Sequence, residues 1–253
     1  MLARLLRRPR APVHAVPPGE RVYAIGDVHG CLGLLDELIA RIEADHDARD
    51  EAVGRLVFLG DLIDRGPDSA GVVERVRELQ RADRWRVDVL MGNHEESFLR
   101  ALDEERGALR FFLKIGGRET LFSYGLSPEL YPTFDYDQLR DWMREHVPAA
   151  HAGWLAGLAQ QVRAGDYVFV HAGVRPDVSL ADQDERDLRW IRAEFLEYGA
   201  DHEAMVVHGH TITDGVDERS NRIGIDTGAY ATGVLSAIGL EGTARWVLQA
   251  AAV

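Results

Sequence analysis

Five places in the chain deliver Asp, His or Asn directly after a run of β-forming residues, with glycine close by. "RVYAI" runs into Gly26-Asp27-Val28-His29-Gly30, and "RLVFL" runs into "GDLIDRG", Gly60 to Gly66. "RVDVLM" runs into "GNHE", Gly92 to Glu95; "DYVFV" runs into "HAG", His171 to Gly173; "AMVV" runs into "HGHT", His208 to Thr211. Taken singly, each has an ordinary explanation, since Asp and Asn after a strand make turns and a lone His is usually a hydrogen-bonded structural residue. Taken together they are not turn chemistry, because neither turns nor core packing ask repeatedly for imidazole. Carboxylate oxygen, amide oxygen and imidazole nitrogen without thiolate form a donor set for borderline divalent ions such as manganese, iron or zinc. Two such cations about 3.5–4 Å apart could share a carboxylate and a water whose pKa they depress. The resulting hydroxide could attack phosphorus in line while the metals neutralise phosphoryl oxygens. Asp27 and His29 are therefore expected to be ligands of one of two metals.

The elements that must place these residues are readable from periodicity. Between about Arg21 and Gly92, β-type runs alternate with helical spacing in "LLDELIARIEA" and "AGVVERVREL". That alternation predicts βαβ units, a largely parallel sheet and ligands at the carboxyl ends of its strands. From about Glu95 to Arg163 helical stretches are broken by "IGGRE", "YGLSPELYP" and "VPAAHAG", which suggests an inserted helical cap over about 96–165. Strand patterns return at "DYVFV", "AMVVH" and "RIGI", and "GVLSAIGL" with "ARWVLQA" predicts a closing hairpin around Glu241 and Gly242. The expected fold class is α/β: two mixed sheets flanked by helices, forming one domain over 21–253. The cap aromatics Trp142, Tyr124, Tyr131, Phe134 and Tyr136 are candidates for a groove, against the commoner alternative of core.

Composition narrows the function classes. A formal net charge of -13 over 253 residues argues against general affinity for nucleic acid or anionic lipid. An anionic substrate would then need local cations, and bound metals are the obvious source. The single cysteine, Cys31, excludes an intramolecular disulfide and fits a reducing, cytoplasmic setting; it reads as a small apolar residue rather than a ligand. The basic, proline-rich residues 1–20 are expected to form a flexible tail without the apolar region of a secretory signal. No apolar run approaches the roughly 18 residues of a membrane span.

The ordered set GDxHG, GDxxDRG, GNHE and two later histidine motifs, spanning Gly26 to Thr211, resembles the phosphoprotein phosphatase family of the calcineurin-like metallophosphoesterases. "HAG" in place of "HGG" is similar to the compact bacterial and phage serine/threonine phosphatase branch. The resemblance implies that Asp27 and His29 bind the first metal, that Asp61 bridges both, that Asn93 and His171 bind the second, and that His210, which follows a glycine in "HGHT", is a further metal ligand. It implies His208 in a supporting or structural place. It further implies His94 as the acid that protonates the leaving oxygen, held by Asp64, and Arg65 as a grip on phosphate. The first of these pairings also makes sense on its own, because a carboxylate orients imidazole and favours its protonated form. "DLRWIRAEF" is similar to the bacterial W-x-R pattern, which points to Arg192 as a second phosphate ligand and to Arg189 as the weaker option. Two divalent cations are implied, manganese first and iron or zinc otherwise.

On this resemblance the expected activity is hydrolysis of phosphomonoesters, phosphoserine and phosphothreonine proteins before small phosphate esters. The alternative is a dinucleoside polyphosphate hydrolase of the diadenosine tetraphosphate type, or a nucleotide hydrolase, on the same scaffold. Members of the dinucleotide group resemble "GDLVARG", with alanine where this chain has Asp64, although "RGPDS" is common to both. A metal-free binding module would show gaps in the ligand set, and none is found. A nuclease is disfavoured by Ile212 where GHxH would place a second histidine.

Overall fold

The computed structural model describes residues 13–103 and 106–252. Its strands are β1 (Glu20–Ile25), β2 (Val53–Phe58), β3 (Arg86–Val89), β4 (Gln161–Ala164), β5 (Tyr167–Val170), β6 (Met205–His208), β7 (Asp217–Glu218), β8 (Arg222–Gly224), β9 (Val234–Glu241) and β10 (Ala244–Ala251). Its α-helices are α1 (Leu32–Asp47), α2 (Ser69–Arg81), α3 (Asn93–Leu102), α4 (Arg106–Phe112), α5 (Arg118–Ser123), α6 (Tyr136–His146), α7 (Ala149–Ala156), α8 (Glu185–Trp190), α9 (Ala193–Leu196) and α10 (Ala229–Thr232). None of them, among the described residues, is long and apolar enough to cross a membrane.

The strands form two five-stranded mixed sheets, ordered β10-β9-β1-β2-β3 and β4-β5-β6-β8-β7. Strands β1, β2 and β3 are parallel, as are β5, β6 and β8. The period-2 alternation of side chains builds the layers. Val22 and Ala24 of β1 face Tyr167, Phe169 and Val207 of the other sheet in one buried cluster, while Tyr23 and Ile25 turn to the helical side. Helix α1 covers that side with Leu35, Leu38, Ile39 and Ile42, the spacing of one helical face. Beyond the second sheet, Val168 and Val206 pack on Leu188 and Phe195 of α8 and α9. Helix, sheet, sheet and helix are thus four layers, as the α/β expectation required.

Two boundaries differ from the sequence reading. The helical insertion ends before β4, which pairs antiparallel with β5 and belongs to the second sheet. Its helices share one continuous core with the first sheet: Phe112, Leu121 and Met143 lie in the same cluster as Tyr23 and Phe58. The expected tail lies partly outside the described residues, at 1–12. The chain is docked from Ala15, which bonds Asp166, and Val16, whose N–H donates to Gly242 O. Those bonds satisfy backbone groups at the rim where the two sheets meet. The closing hairpin is β9 and β10, turning through Gly242 at φ 51°.

Candidate metal centre

The carboxyl ends of β1, β2, β3, β5 and β6 carry the motif loops, and all of these converge at one rim. The backbone there is unusual. Among the described residues six non-glycine positions have positive φ, and five are in the motifs: His29, Asp61, Asp64, Arg65 and His210. Such conformations are disfavoured and persist only where surrounding contacts hold them. The holding contacts are visible. Buried Glu95 accepts the N–H groups of Gly92, Asp61 and Leu62 at 2.8–2.9 Å, tying the GNHE turn to the GDLIDRG loop. Val28 and His29 donate backbone N–H to Asp61 O, coupling the first loop to the second.

Asp61 stands at the centre. Its Oδ1 accepts the His94 N–H at the start of α3 and lies 3.4 Å from His171 Nε2. Its Oδ2 lies 3.6 Å from His29 Nε2 and 3.8 Å from His94 Nε2. Two buried groups of donors able to hold a cation result, one of His29, Asp61 and His94, the other of Asp61, His171 and His210, with Asp61 in both. Asn93 joins the second through its Oδ1, 2.9 Å from His171 Nε2.

The second contacts fix tautomers. His29 Nδ1 meets Ile63 O and His171 Nδ1 meets Leu59 O, both at 2.8 Å. A carbonyl can only accept, so each Nδ1 carries the proton and each Nε2 lone pair faces the cluster, the arrangement of metal-ligating histidines. Burial pushes the His29 pKa down to about 3 and lowers those of His171 and His210, keeping imidazoles neutral as ligation demands.

Asp27 lies outside both groups, and its environment is telling. Its Oδ2 accepts the His210 N–H at 2.9 Å, whereas its buried Oδ1 and the buried His210 Nε2 have no hydrogen-bond partner. Burial, then Asp226 and Asp61, push its carboxyl well above the usual range. Asp226, likewise buried, is raised to about 6 mainly by burial. Gly209 leaves the room: a Cβ there would lie 2.0 Å from Asp27 Oδ1. Crowded buried carboxylates with orphaned donor atoms are what a pair of divalent cations would satisfy, so the residues fit such a group.

His94 differs from its neighbours. Its Nδ1 contacts Asp64 Oδ2 at 2.7 Å, and although burial opposes charge, the Asp61 and Asp64 carboxylates outweigh it and hold its pKa above that of an ordinary histidine. Asp64 is itself clasped by Thr120 and Ser69. Arg65 lies across the site, with Nη1 at 3.1 Å from His29 Nε2 and Nη2 at 3.0 Å from His94 Nε2. Its backbone N–H and Nε donate to Gly116 O and Ile115 O of the insertion. Arg192 is exposed beside Thr211 Oγ1 at 3.4 Å and lowers the pKa of His171 and His210. Arg189 is buried and committed to Glu185 and Glu96. His208 is also away from the donor groups, packed on Phe195 and facing Arg222. Cys31 is half-buried outside both groups.

Sequence reasoning passed over Asp226, Glu95, Thr120 and Tyr230. Asp226 had the same signal as the others, a β-type run, "RIGI", ending in Asp before glycine. Thr120 and Tyr230 had none, since only folding brings Tyr230 to 4.6 Å from the Arg65 guanidinium carbon and its ring to 5.3 Å from that of His29. Of the cap aromatics, Tyr131, Phe134 and Tyr136 line a cleft of about 670 Å³, and all but Tyr136 also pack against the core.

Residues 20–224 match the family model for calcineurin-like phosphoesterases. A symmetrical bis(5'-nucleosyl)-tetraphosphatase of Acidovorax sp. (strain JS42) is 32% identical over 185 residues, covering 73% of this chain and 51% of that protein. The protein of the same name from Ralstonia nicotianae (strain ATCC BAA-1114 / GMI1000) is 32% identical over 183 residues, 70% of this chain and 51% of its own. The chain therefore spans about half the length of these relatives. Among solved structures, a candidate diadenosine tetraphosphatase superposes with a TM-score of 0.63 at 22% identity, covering 94% of this chain and 99% of the other. The cold-active protein-tyrosine phosphatase of a psychrophilic Shewanella sp. gives a TM-score of 0.54 at 18% identity over 93% of this chain and 83% of its own. Both likenesses concern the fold.

Proposed function

The chain belongs to the calcineurin-like phosphoesterase family, a hydrolase family acting on phosphoester bonds, and we propose that this member cleaves dinucleoside polyphosphates of the diadenosine tetraphosphate type with the help of two divalent cations. The observation that carries the reading is the pair of buried donor groups sharing Asp61 in a chain whose curated relatives are named for that activity. The phosphoserine and phosphothreonine proteins expected from the intact DRG gain no such support, so the former alternative becomes the main reading.

In this assignment Asp27, His29 and Asp61 hold the first cation, and Asp61, Asn93, His171 and His210 the second. Bound there, the pair would supply Lewis-acid charge to the phosphate and acidify a water for attack. His94 is kept apart as an acid because Asp64 binds its Nδ1 and favours its protonated form, while its Nε2, which faces Arg65 Nη2 at 3.0 Å, is the atom that would carry the proton. Its Nε2 proton would pass to the leaving oxygen. Arg65 and Arg192 offer planar forks to phosphate oxygens.

One observation favours a second reading. A nucleoside diphosphate is a good leaving group and needs little protonation, whereas a serine alkoxide needs it fully. The intact His94–Asp64 pair at 2.7 Å therefore supports competence towards phosphomonoesters as well. The test is one parallel assay of manganese-loaded protein with diadenosine tetraphosphate, mononucleotides, and phosphoserine and phosphotyrosine peptides. The highest kcat/KM is expected for the dinucleotide, with nucleoside diphosphate as product; a phosphopeptide preference would overturn the reading.

A further inference from the structure

Beside the second donor group, the structure opens a cleft of about 530 Å³ lined by Glu96, Arg100, Phe111, Arg186 and Trp190. Its position relative to the chemistry is set by Trp190, whose ring centroid lies 6.3 Å from that of His210 and two residues before Arg192. The indole is held rigidly: its Nε1–H donates to Glu96 Oε2 at 2.6 Å, and Glu96 Oε1 meets Arg189 at 3.4 Å. Phe111, on α4, is 41% exposed, a large apolar surface that the fold leaves in solvent. Its ring centroid is 5.8 Å from that of Trp190 with the planes inclined at 51°, so the two rings make a splayed aromatic floor. Arg100 and Arg186 bring two cations to the same cleft on a chain whose net charge is -13.

Flat aromatic surface and guanidinium groups together, next to a centre that handles phosphate, suit one kind of ligand. A base stacks on an aromatic face, and arginines neutralise the phosphates of its chain. The volume is also of the size that small-ligand sites adopt. We propose that this cleft seats the base and outer phosphates of the nucleotide substrate, with Phe111 and Trp190 as the stacking platform and Arg100 and Arg186 as counter-charges. The inference deepens the dinucleotide reading and rests on it for the identity of the substrate; the recognition of a nucleotide is a separate property of the cleft.

The test separates the two. Manganese-loaded protein is mixed with adenosine 5'-(β,γ-imido)triphosphate or with base-free tripolyphosphate, and tryptophan quenching is recorded within seconds. The base should tighten binding by about tenfold or more, the size of one stacking contact. Phe111→Ala should abolish that advantage and leave tripolyphosphate affinity within about twofold, while Arg186→Ala should weaken both ligands. The melting temperature of Phe111→Ala should stay within about 3 °C of the parent, which guards against misfolding. Equal affinity for the two ligands in the parent protein, or an undiminished base advantage in Phe111→Ala, overturns the cleft. Failure to cleave diadenosine tetraphosphate despite that base advantage would instead count against the dinucleotide reading alone.

Discussion

Asp61 presents one oxygen to each donor group, and the consequence is specific to its charge. Asp61→Asn keeps the shape and the bond from the His94 N–H but removes the anion shared by the two donor groups. It is expected to reduce bound metal below the two ions per chain proposed for the parent and to lower turnover by at least about 10², with plasma emission spectrometry and steady-state rates as the readouts. The acid pair allows a sharper distinction between substrates. Asp64→Ala frees His94 Nδ1 and removes the charge that favours its protonated form. Phosphomonoester turnover should fall by about 10²–10⁴, the usual worth of an acid, while dinucleotide turnover should fall by less than about tenfold because its leaving group scarcely needs a proton. Parallel kcat values on the two substrates check this, and equal losses on both would remove the proposed division of labour.

At the level of elements, the insertion is more than a cover over the site. The kinked turn Leu113–Gly117 joins α4 to α5 and presents Ile115 O and Gly116 O to Arg65, while Thr120 of α5 clasps Asp64. Gly116 sits at φ 119°, where side chains are strained, and a Cβ there would approach Arg65 Cγ to 2.7 Å. Gly116→Ala is therefore expected to push Arg65 off the phosphate position and to destabilise the turn by about 1–3 kcal/mol. A rise in KM for every phosphate ester, by about tenfold and largely independent of the leaving group, should accompany a modest drop in melting temperature. An unchanged KM would show that the insertion does not position Arg65.

Across the whole molecule, the proposed ligands draw on both sheets: Asp27, His29, Asp61 and Asn93 follow strands of the first, His171 and His210 strands of the second. Cations bound there would cross-link the layers. Chelation should abolish activity and lower the melting temperature by about 5–10 °C, the shift that roughly 3 kcal/mol of linkage produces in a domain of this size, and manganese should restore both. Away from the site, Asp45 knits α1, β1 and β10 by accepting from Arg49, Tyr23 Oη and Trp246 Nε1. Burial opposes its charge, but the bonds from Arg49 and Tyr23 outweigh it and lower its pKa below the usual carboxylate value. A folded-state pKa below the unfolded one gives stability that is fully present above about pH 4 and is lost as pH falls through the folded value. Asp45→Asn should cost about 1–3 kcal/mol at pH 7, and the difference from the parent should shrink at pH 3 in denaturant titrations.

What the sequence determined alone was the list of chemistry-bearing residues and the strands that end in them. Periodicity fixes which residues are β-type and which helical, and repeated Asp, His and Asn after such runs stand out because neither turns nor cores require them. Even Asp226 was within reach of that rule. Only the tertiary structure decided which of these atoms meet. The oxygens of Asp61 divide between two histidine groups because β2 lies between loops fed by both sheets, and His210 rather than His208 joins them because the two side chains leave the chain in different directions. Thr120 and Tyr230 reach the site, and Phe111 reaches Trp190, from elements remote in order, and no spacing rule relates them. Local sequence sets propensity and donor chemistry, whereas proximity between distant segments is a property of packed layers, and substrate choice resides in that proximity.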